Sequence, residues 1–357
     1  MQKFLTVLRW TVGILFILSG LIKANDPLGL SYKMDEFLNV WSISLISDRI
    51  TMYFAVFMNI LEIVAGLALI IKYPYKQTLW LLLSLIVFFS FLTGYALFSG
   101  KIKTCGCFGD CIPLSPKTSF IKDILLFLSI VILLITKKKV KSKMKKSIGI
   151  ALLLLTTFTV GYGQFYVLNH LPIIDCLPYK VGNDIVEKMK LPAGAVPDSV
   201  DIKMEFLKDG KTYFYSPANL PDDFDESYVF KGRKDFIIKG NGIKAEIVDF
   251  YLRAVSGVDS TKTVFANKAP YALIFADQID GGKPWNEILK KAKLKYSKVY
   301  IVITKEVENA TKTFPSENIL TCDNTILRTV ARVWPTVYVM NGSVIMQKQS
   351  YIDFLKD

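Results

Sequence analysis

One histidine, His170, stands in 357 residues, so a catalytic zinc or copper centre built on imidazole is poorly supplied. There is no glycine-rich phosphate loop, no serine–histidine–aspartate set and no haem-attachment motif, which leaves the commonest nucleotide, acyl-transfer and cytochrome chemistries without their residues. Cysteine is scarce, at five, and an odd count leaves at least one thiol free or paired in trans. Internal repeats and low-complexity linkers are also missing. Charge is absent altogether from residues 78–98, "TLWLLLSLIVFFSFLTGYALF". A run of about 20 apolar residues is what a helix needs to span the hydrocarbon core.

What is present is apolar: 52% of the chain is hydrophobic, and the excess lies in the first half. Four more stretches approach the same length: residues 4–22, interrupted by Arg9; 51–71, holding Asn59 and Glu62; 118–136, with Lys122 and Asp123 near its start; and 147–168. The pattern predicts five transmembrane helices. The first also has the basic start and apolar centre of a signal peptide, but no small-x-small cleavage site follows it, and residues just beyond it carry a motif.

The net charge of +13 does not indicate nucleic acid, because its placement fits a membrane. The densest basic run, "KKKVKSKMKK" at 137–146, lies between the fourth and fifth helices, which marks that loop as cytoplasmic and in contact with anionic membrane lipid. Counting from it, the N-terminus and "KYPYKQ" at 72–77 are cytoplasmic. Everything after residue 168 is outside. The expectation is an integral inner-membrane protein with a periplasmic or otherwise extracytoplasmic C-terminal domain.

The same count puts "KTCGCFGDCIP", residues 103–113, outside, where disulfides persist and exchange. Cys105, Cys107 and Cys111 then admit three readings. Cys105 and Cys107 flank a single glycine, which suits an easily reduced disulfide or its rapid passage to Cys111, and Lys101 or Lys103 would favour a thiolate. A permanent staple from Cys111 to Cys105 or Cys107, or from Cys111 to Cys176, is the second. Third, three thiolates with His170 or Cys176 would make a tetrahedral metal set, but the C-x-C-x3-C spacing lacks the paired knuckles of structural zinc. His170 alone reads as an interfacial residue.

Glu62 lies eleven residues into the second helix, roughly 16 Å deep at the α-helical rise. An ionisable group there is costly and faces the bundle interior with a partner. Asn59 shares its face, and Lys23, Ser19 or Lys33 would supply the partner. Together they make either a polar pocket opening outward near the thiols or internal glue between helices. Trp10, Trp80 and Tyr95, near helix ends, read as interface and packing residues.

From His170 the composition becomes that of a soluble region. "HLPIIDCLPYKVGNDI", 170–185, is a short extended tether holding two prolines and Cys176. "DIKMEFLKDGKTYFYS" alternates around Asp209-Gly210, a hairpin signal. "DFIIKG" reads as a strand and "EIVDFYLRAV", 246–255, as a helix. From residue 271 the order is strand "YALIFA", helix "PWNEILKKAKL", strand "KVYIVIT", helix "NTILRTVARV", and strands "TVYVMN" and "SVIMQK", an α/β sandwich. The expected division is a membrane domain at 1–136, a cytoplasmic basic loop with the fifth helix at 137–168, a β-rich segment at 169–262 and an α/β domain at 263–357.

Two resemblances follow. The order from residue 271 resembles a thioredoxin fold, and "VWPTVYVMNGSVI" at 333–345 resembles that fold's proline-first strand. The resemblance implies a cis-proline at Pro335, with Thr336 beside it, for pairing with an extended partner chain. Where that fold carries Cys-x-x-Cys, this chain reads "FADQIDGGKPWNEIL" without a cysteine, so the domain cannot run dithiol exchange alone. Cys322 reads as a buried apolar side chain. "LSGLIKANDP" at 18–27, "NILEIVAGLAL" at 59–69 and "CGCFG" resemble the DoxX and MauE family of four-helix, redox-associated membrane proteins over about residues 1–136. That resemblance implies a bundle handling thiols and disulfides outside the membrane. This chain departs from it by a fifth helix and the soluble region.

The leading expectation is thus a thiol–disulfide oxidoreductase or accessory subunit. It would pass electrons or disulfides through Cys105, Cys107 and Cys111, with Cys176 as a relay, to extracytoplasmic protein thiols or disulfides. The alternative is a non-enzymatic membrane scaffold with a structural disulfide, whose α/β domain docks partners. A small-molecule carrier using the Glu62 pocket is a third, poorly served by five helices without repeats. No cofactor motif is evident, and a quinone feeding the bundle stays open.

Overall fold

The computed structural model describes residues 2–43, 46–102, 106, 108–137, 144–196, 199–217, 219–221, 224–238, 240, 242–315 and 317–357. Five helices among them are long and apolar enough to cross a membrane: α1 (Gln2–Asn25), α3 (Asp48–Ile71), α4 (Tyr75–Ser99), α5 (Pro116–Ile135) and α6 (Lys146–His170). Each coincides with one of the five apolar stretches. A sixth helix, α2 (Pro27–Val40), was not expected. Its signal is local: Asp26 caps it, accepting from the Gly29 amide at 3.1 Å, and Pro27 opens it. α5 starts the same way, with Ser115 as cap and Pro116 first.

α1 and α3 pack closely because each presents glycine to the other. A Cβ at Gly66 would lie 2.7 Å from the Gly13 carbonyl oxygen, and one at Gly20 would lie 2.6 Å from Ile63. Such small-residue contacts let helix backbones approach in a membrane. Gly66→Ala is therefore expected to push the two helices apart and destabilise the bundle by about 1–3 kcal/mol, read as a lowered midpoint of thermal unfolding in detergent. Arg9, the charge that interrupts the first apolar stretch, is buried and donates to the carbonyls of Leu69 (3.1 Å) and Ile70 in the last turn of α3. That end of a helix carries partial negative charge and unsatisfied carbonyls. The bundle core is filled by Phe37, Leu69, Leu79, Leu82 and Ile130, among others.

By compactness the chain is two units, one of residues 183–250 and the other of residues 1–182 with 251–357. The smaller holds α7 (Ile185–Lys188) and a three-stranded antiparallel sheet of β1 (Ser199–Lys208), β2 (Lys211–Tyr215) and β3 (Val229–Ile238), in the order β2-β1-β3. The expected hairpin closes at Lys208↔Lys211, with Asp209 and Gly210 both at positive φ (51° and 74°), as a two-residue primed turn requires. β3 begins six residues before the strand expected from Asp235.

The rest of the larger unit is β4 (Arg253–Ala254), α8 (Thr261–Phe265), β5 (Tyr271–Phe275), α9 (Trp285–Lys295), β6 (Val299–Ile303), α10 (Val307–Thr313), β7 (Asn318–Thr321), α11 (Asn324–Val330), β8 (Thr336–Asn341), β9 (Val344–Ser350) and α12 (Tyr351–Lys356). Its six strands run β4-β7-β6-β5-β8-β9. β5, β6 and β7 are parallel neighbours, whereas β8 runs antiparallel to β5 and to β9. β5 is buried along its whole length, which explains its unbroken apolar sequence. The helix expected at 246–255 does not form. Asp249 takes a left-handed φ of 56°, which ends any helix there, and Arg253 and Ala254 run as an edge strand beside β7.

α11 is short and depends on its cap. The Asp323 carboxylate accepts from the Thr325 amide at 2.7 Å, and this backbone hydrogen bond, with a smaller contribution from the Thr325 side chain, holds its pKa below the usual carboxylate range. Asp323→Ala is expected to cost about 1 kcal/mol at neutral pH. Because the folded pKa is depressed, the contribution is full above the unfolded value and fades as pH falls through the folded one. Denaturant titration of wild type and variant should therefore show curves that converge in acid.

Candidate functional site

The cysteine loop lies between α4 and α5. Cys105, Cys107 and Lys103 fall outside the described residues; Gly106 and Phe108 to Cys111 are described. Gly106 and Gly109 both hold positive φ (66° and 56°), and the Gly109 amide donates to the Gly106 carbonyl at 3.0 Å. A Cβ on Gly106 would meet Lys33 Cγ at 3.0 Å, so the stem of Lys33 lies against the residue between the two cysteines. Its ammonium pairs with Glu36 at 2.7 Å. Lys33, one of three partners expected for Glu62, thus flanks the loop instead. Lys101 is exposed.

Cys111 is disulfide-bonded to Cys176, 65 residues away in the sequence. Of the pairings open for Cys111, this is the one present. Cys322 is free, and burial, aided by Asp323, pushes its thiol up to about 12. It stays protonated at neutral pH.

The approach to β8 contacts the loop through Arg332 and Asp110. The Trp334–Pro335 peptide is cis, and the Pro335 carbonyl accepts from the Tyr351 amide at 3.0 Å. Thr336 is fully buried, paired with Phe275 on one side and Ser350 on the other, and donates to the Val333 carbonyl. Its backbone is therefore spent within the sheet, and the stretch left to face a cleft is Val333 to Pro335. That cleft, about 410 Å³, is lined by Trp334, Pro335, Trp285 and Lys283 from the sheet-bearing region, and by Tyr32 and Met52 from the helices.

Two arginines join these elements. Arg332, just ahead of Trp334, gives its Nε to Asp26 (2.8 Å to Oδ2) and its Nη2 to Asp110 of the cysteine loop (2.7 Å). Gly29 has room for this because a Cβ there would sit 3.0 Å from Asp26 Oδ2 and 3.3 Å from Asp110 Oδ2. Burial works to lower the Arg332 pKa, but the two carboxylates more than offset it and the net shift is upward. Arg328 pairs with Asp35 (3.3 Å) and Asp48 (2.7 Å) and lies 4.6 Å over the Tyr32 ring. Burial pushes the Tyr32 phenol up to about 12 against the pull of both arginines. Lys348 of β9 pairs with Asp175, beside Cys176, at 2.6 Å; burial lowers its pKa and Asp175 opposes the shift. None of these arginines, nor Lys348, was expected from the sequence. The readable traces are the Asp-Cys dipeptides at 110–111 and 175–176 and the Asp26-Pro27 cap.

Within the helices, Glu62 is paired with Lys23 and accepts from Ser19 at 3.1 Å. Asn59, one turn away, donates to Gln164 of α6 at 3.0 Å instead. A second pair, Lys122–Asp123 (2.9 Å), with Thr93 donating to Asp123 at 2.9 Å, lines the same small cavity as Ser19, Lys23 and Glu62. Phe108 of the cysteine loop forms part of its wall, with Lys122 5.0 Å over the ring. The cavity is about 20 Å³, room for one water. His170 contacts Asp353 at 2.7 Å and stacks on Tyr166. Among the described residues, no group of three or more histidine, cysteine or acidic side chains is placed to hold a metal ion.

Five apolar helices long enough to cross a membrane, with the buried Lys23–Glu62 pair between two of them and an appended region of sheets, define an integral membrane protein with a helical bundle. Residues 1–137 match the family model of methylamine utilisation protein MauE, so the first four membrane-capable helices form a MauE-like domain, and the match points to a membrane protein of redox-related processes. No curated protein and no solved structure matches the chain.

Proposed function

We propose that the protein is an inner-membrane thiol–disulfide oxidoreductase, or the accessory subunit of one, working on extracytoplasmic protein partners. The MauE-like part, which also resembles DoxX proteins, carries the reactive loop. The C-terminal sheet is read as a thioredoxin-like domain, without Cys-x-x-Cys, that holds the partner. The strand order and the proline at the head of β8, a central strand, support that reading. One observation carries the proposal: Asp110 of the cysteine loop is ion-paired to Arg332, three residues from Pro335. Loop and cleft are therefore neighbours, although 222 residues separate them in the sequence.

Cys105 and Cys107 are the reactive pair in this reading, and Cys111–Cys176 fastens the loop. A thiolate of the pair attacks a partner disulfide, forming a mixed disulfide and releasing one partner thiolate. The second cysteine then displaces the other partner sulfur. The loop dithiol loses two electrons and two protons, and the partner disulfide gains them as two thiols. In reverse, the loop disulfide oxidises a partner dithiol. The basic run at 137–146 supports a cytoplasmic N-terminus and an extracytoplasmic loop through the positive-inside rule.

The test is thiol trapping in intact cells, with mass-spectrometric mapping of Cys105, Cys107, Cys111 and Cys176 before and after a reductant pulse. A Cys105/Cys107 population that shifts and recovers within minutes, with mixed disulfides to other proteins, is the expected result. Cysteines frozen in one state would sink the proposal. The closed Cys111–Cys176 bond would then favour the second reading, a scaffold with a structural disulfide.

A further inference from the structure

The Cys111–Cys176 bond joins the cysteine loop to the segment that follows α6. An aspartate precedes each cysteine, Asp110 and Asp175. Each carboxylate is held by a cation that is almost fully buried: Arg332 is 3% exposed and Lys348 is 4% exposed, whereas Asp110 and Asp175 are 35% and 25% exposed. Arg332 stands just ahead of β8, and Lys348 lies on β9 opposite Tyr338, with its ammonium 5.5 Å over that ring. One hairpin thus grips both arms of the disulfide.

The grip is built for two anions at once. The Arg332 guanidinium sends Nε to Asp26 and Nη2 to Asp110, while Nη1 donates to the Arg328 carbonyl. A planar fork serves two carboxylates in fixed directions, which a lysine ammonium does not. Without that charge Asp26 and Asp110, both within reach of a Cβ on Gly29, would repel each other and push the loop off the head of α2.

We propose that Arg332 and Lys348 are positioning residues that hold both arms of the Cys111–Cys176 link on the β8–β9 hairpin whether that disulfide is open or closed. Reduction of the bond then does not release the loop. On the redox reading above, on which this consequence rests, the described part of the cysteine loop, Phe108 to Cys111, keeps its place at Arg332 through a full exchange cycle.

Hydrogen exchange on the full chain in nanodiscs tests this without any thiol chemistry. Protection of residues 108–115 and 172–180 would be compared in wild type, in Cys111→Ser/Cys176→Ser, and in that pair combined with Arg332→Gln, Arg332→Lys or Asp110→Asn. The serine pair is expected to keep protection of both segments within about 3-fold; adding Arg332→Gln or Asp110→Asn is expected to speed exchange of the loop segment by at least about 10-fold, while 172–180, held by Lys348, stays protected. Arg332→Lys should recover part of the loss. Arg332→Gln and Asp110→Asn together should do no more damage to the loop than the worse of the two, because they remove the same interaction. Protection of β5 reports on folding and should not change; Asp110→Asn leaves the Arg332–Asp26 pair in place should Arg332→Gln unfold the chain. Release of the segment by the serine pair alone, or unchanged protection in Asp110→Asn, overturns the proposal. If protection behaves as expected while Cys105 and Cys107 exchange with nothing, the clamp stands and the redox function falls.

Discussion

Replacing Cys105 and Cys107 together by serine is expected to abolish thiol–disulfide exchange with protein substrates, a fall of at least about 100-fold, because a hydroxyl supplies no thiolate. No other cysteine is positioned to substitute. Cys111 and Cys176 are bonded to each other, and the Cys322 thiol is pushed up to about 12, so it is almost entirely protonated at neutral pH. Each single variant should behave differently from the double. One serine leaves a nucleophile without a resolving partner, and a mixed disulfide with the substrate should accumulate on non-reducing gels. The purified full chain, in detergent or nanodiscs, with a disulfide-bearing model polypeptide gives the rate directly. Wild-type exchange by the double variant would move the chemistry off this loop.

The second large effect concerns stability. Lys23 and Glu62 are 2% and 1% exposed and paired with each other, and Lys23 also lies 4.6 Å over the Phe89 ring. Lys23→Met is expected to cost about 3–5 kcal/mol, because it leaves an uncompensated carboxylate in the bundle. Lys23→Met combined with Glu62→Leu should recover most of that loss, since replacing both members of a buried pair by apolar groups is often close to neutral. Thermal unfolding in one detergent reads both. A mild single variant, or a double variant as damaged as the single, would contradict a buried, mutually satisfied pair. The double variant also separates glue from function. If it folds as wild type but exchanges disulfides slowly, the small cavity shared with Phe108 contributes to the chemistry.

The apolar helices were legible because a membrane span is a property of composition over about 20 residues, with no partner needed to define it. The 208–211 hairpin and the strands from Tyr271 onward were legible for a similar reason. Period-two alternation, an Asp-Gly turn and unbroken apolar runs are local signals. α2 was written just as locally, in Asp26 and Pro27, but it is too short and too polar to stand out beside the spans. At 246–255 the spacing misled. Ile247, Phe250 and Leu252 are buried, and burial at such intervals looks helical even where a left-handed Asp249 and an edge strand satisfy it.

By itself the sequence determined a membrane protein with a cysteine-rich loop, a deep carboxylate that needs a cation, and a sheet-bearing C-terminal region. Each of these follows from residue type and near-neighbour spacing. Only the tertiary structure decided that Lys23 and Ser19, not Lys33, serve Glu62, that Cys111 bonds Cys176, and that Arg332 ties Asp26 and Asp110 together. Those choices depend on which distant segments share one buried space, and a charge or a thiol takes the partner that the fold brings within about 3 Å of it.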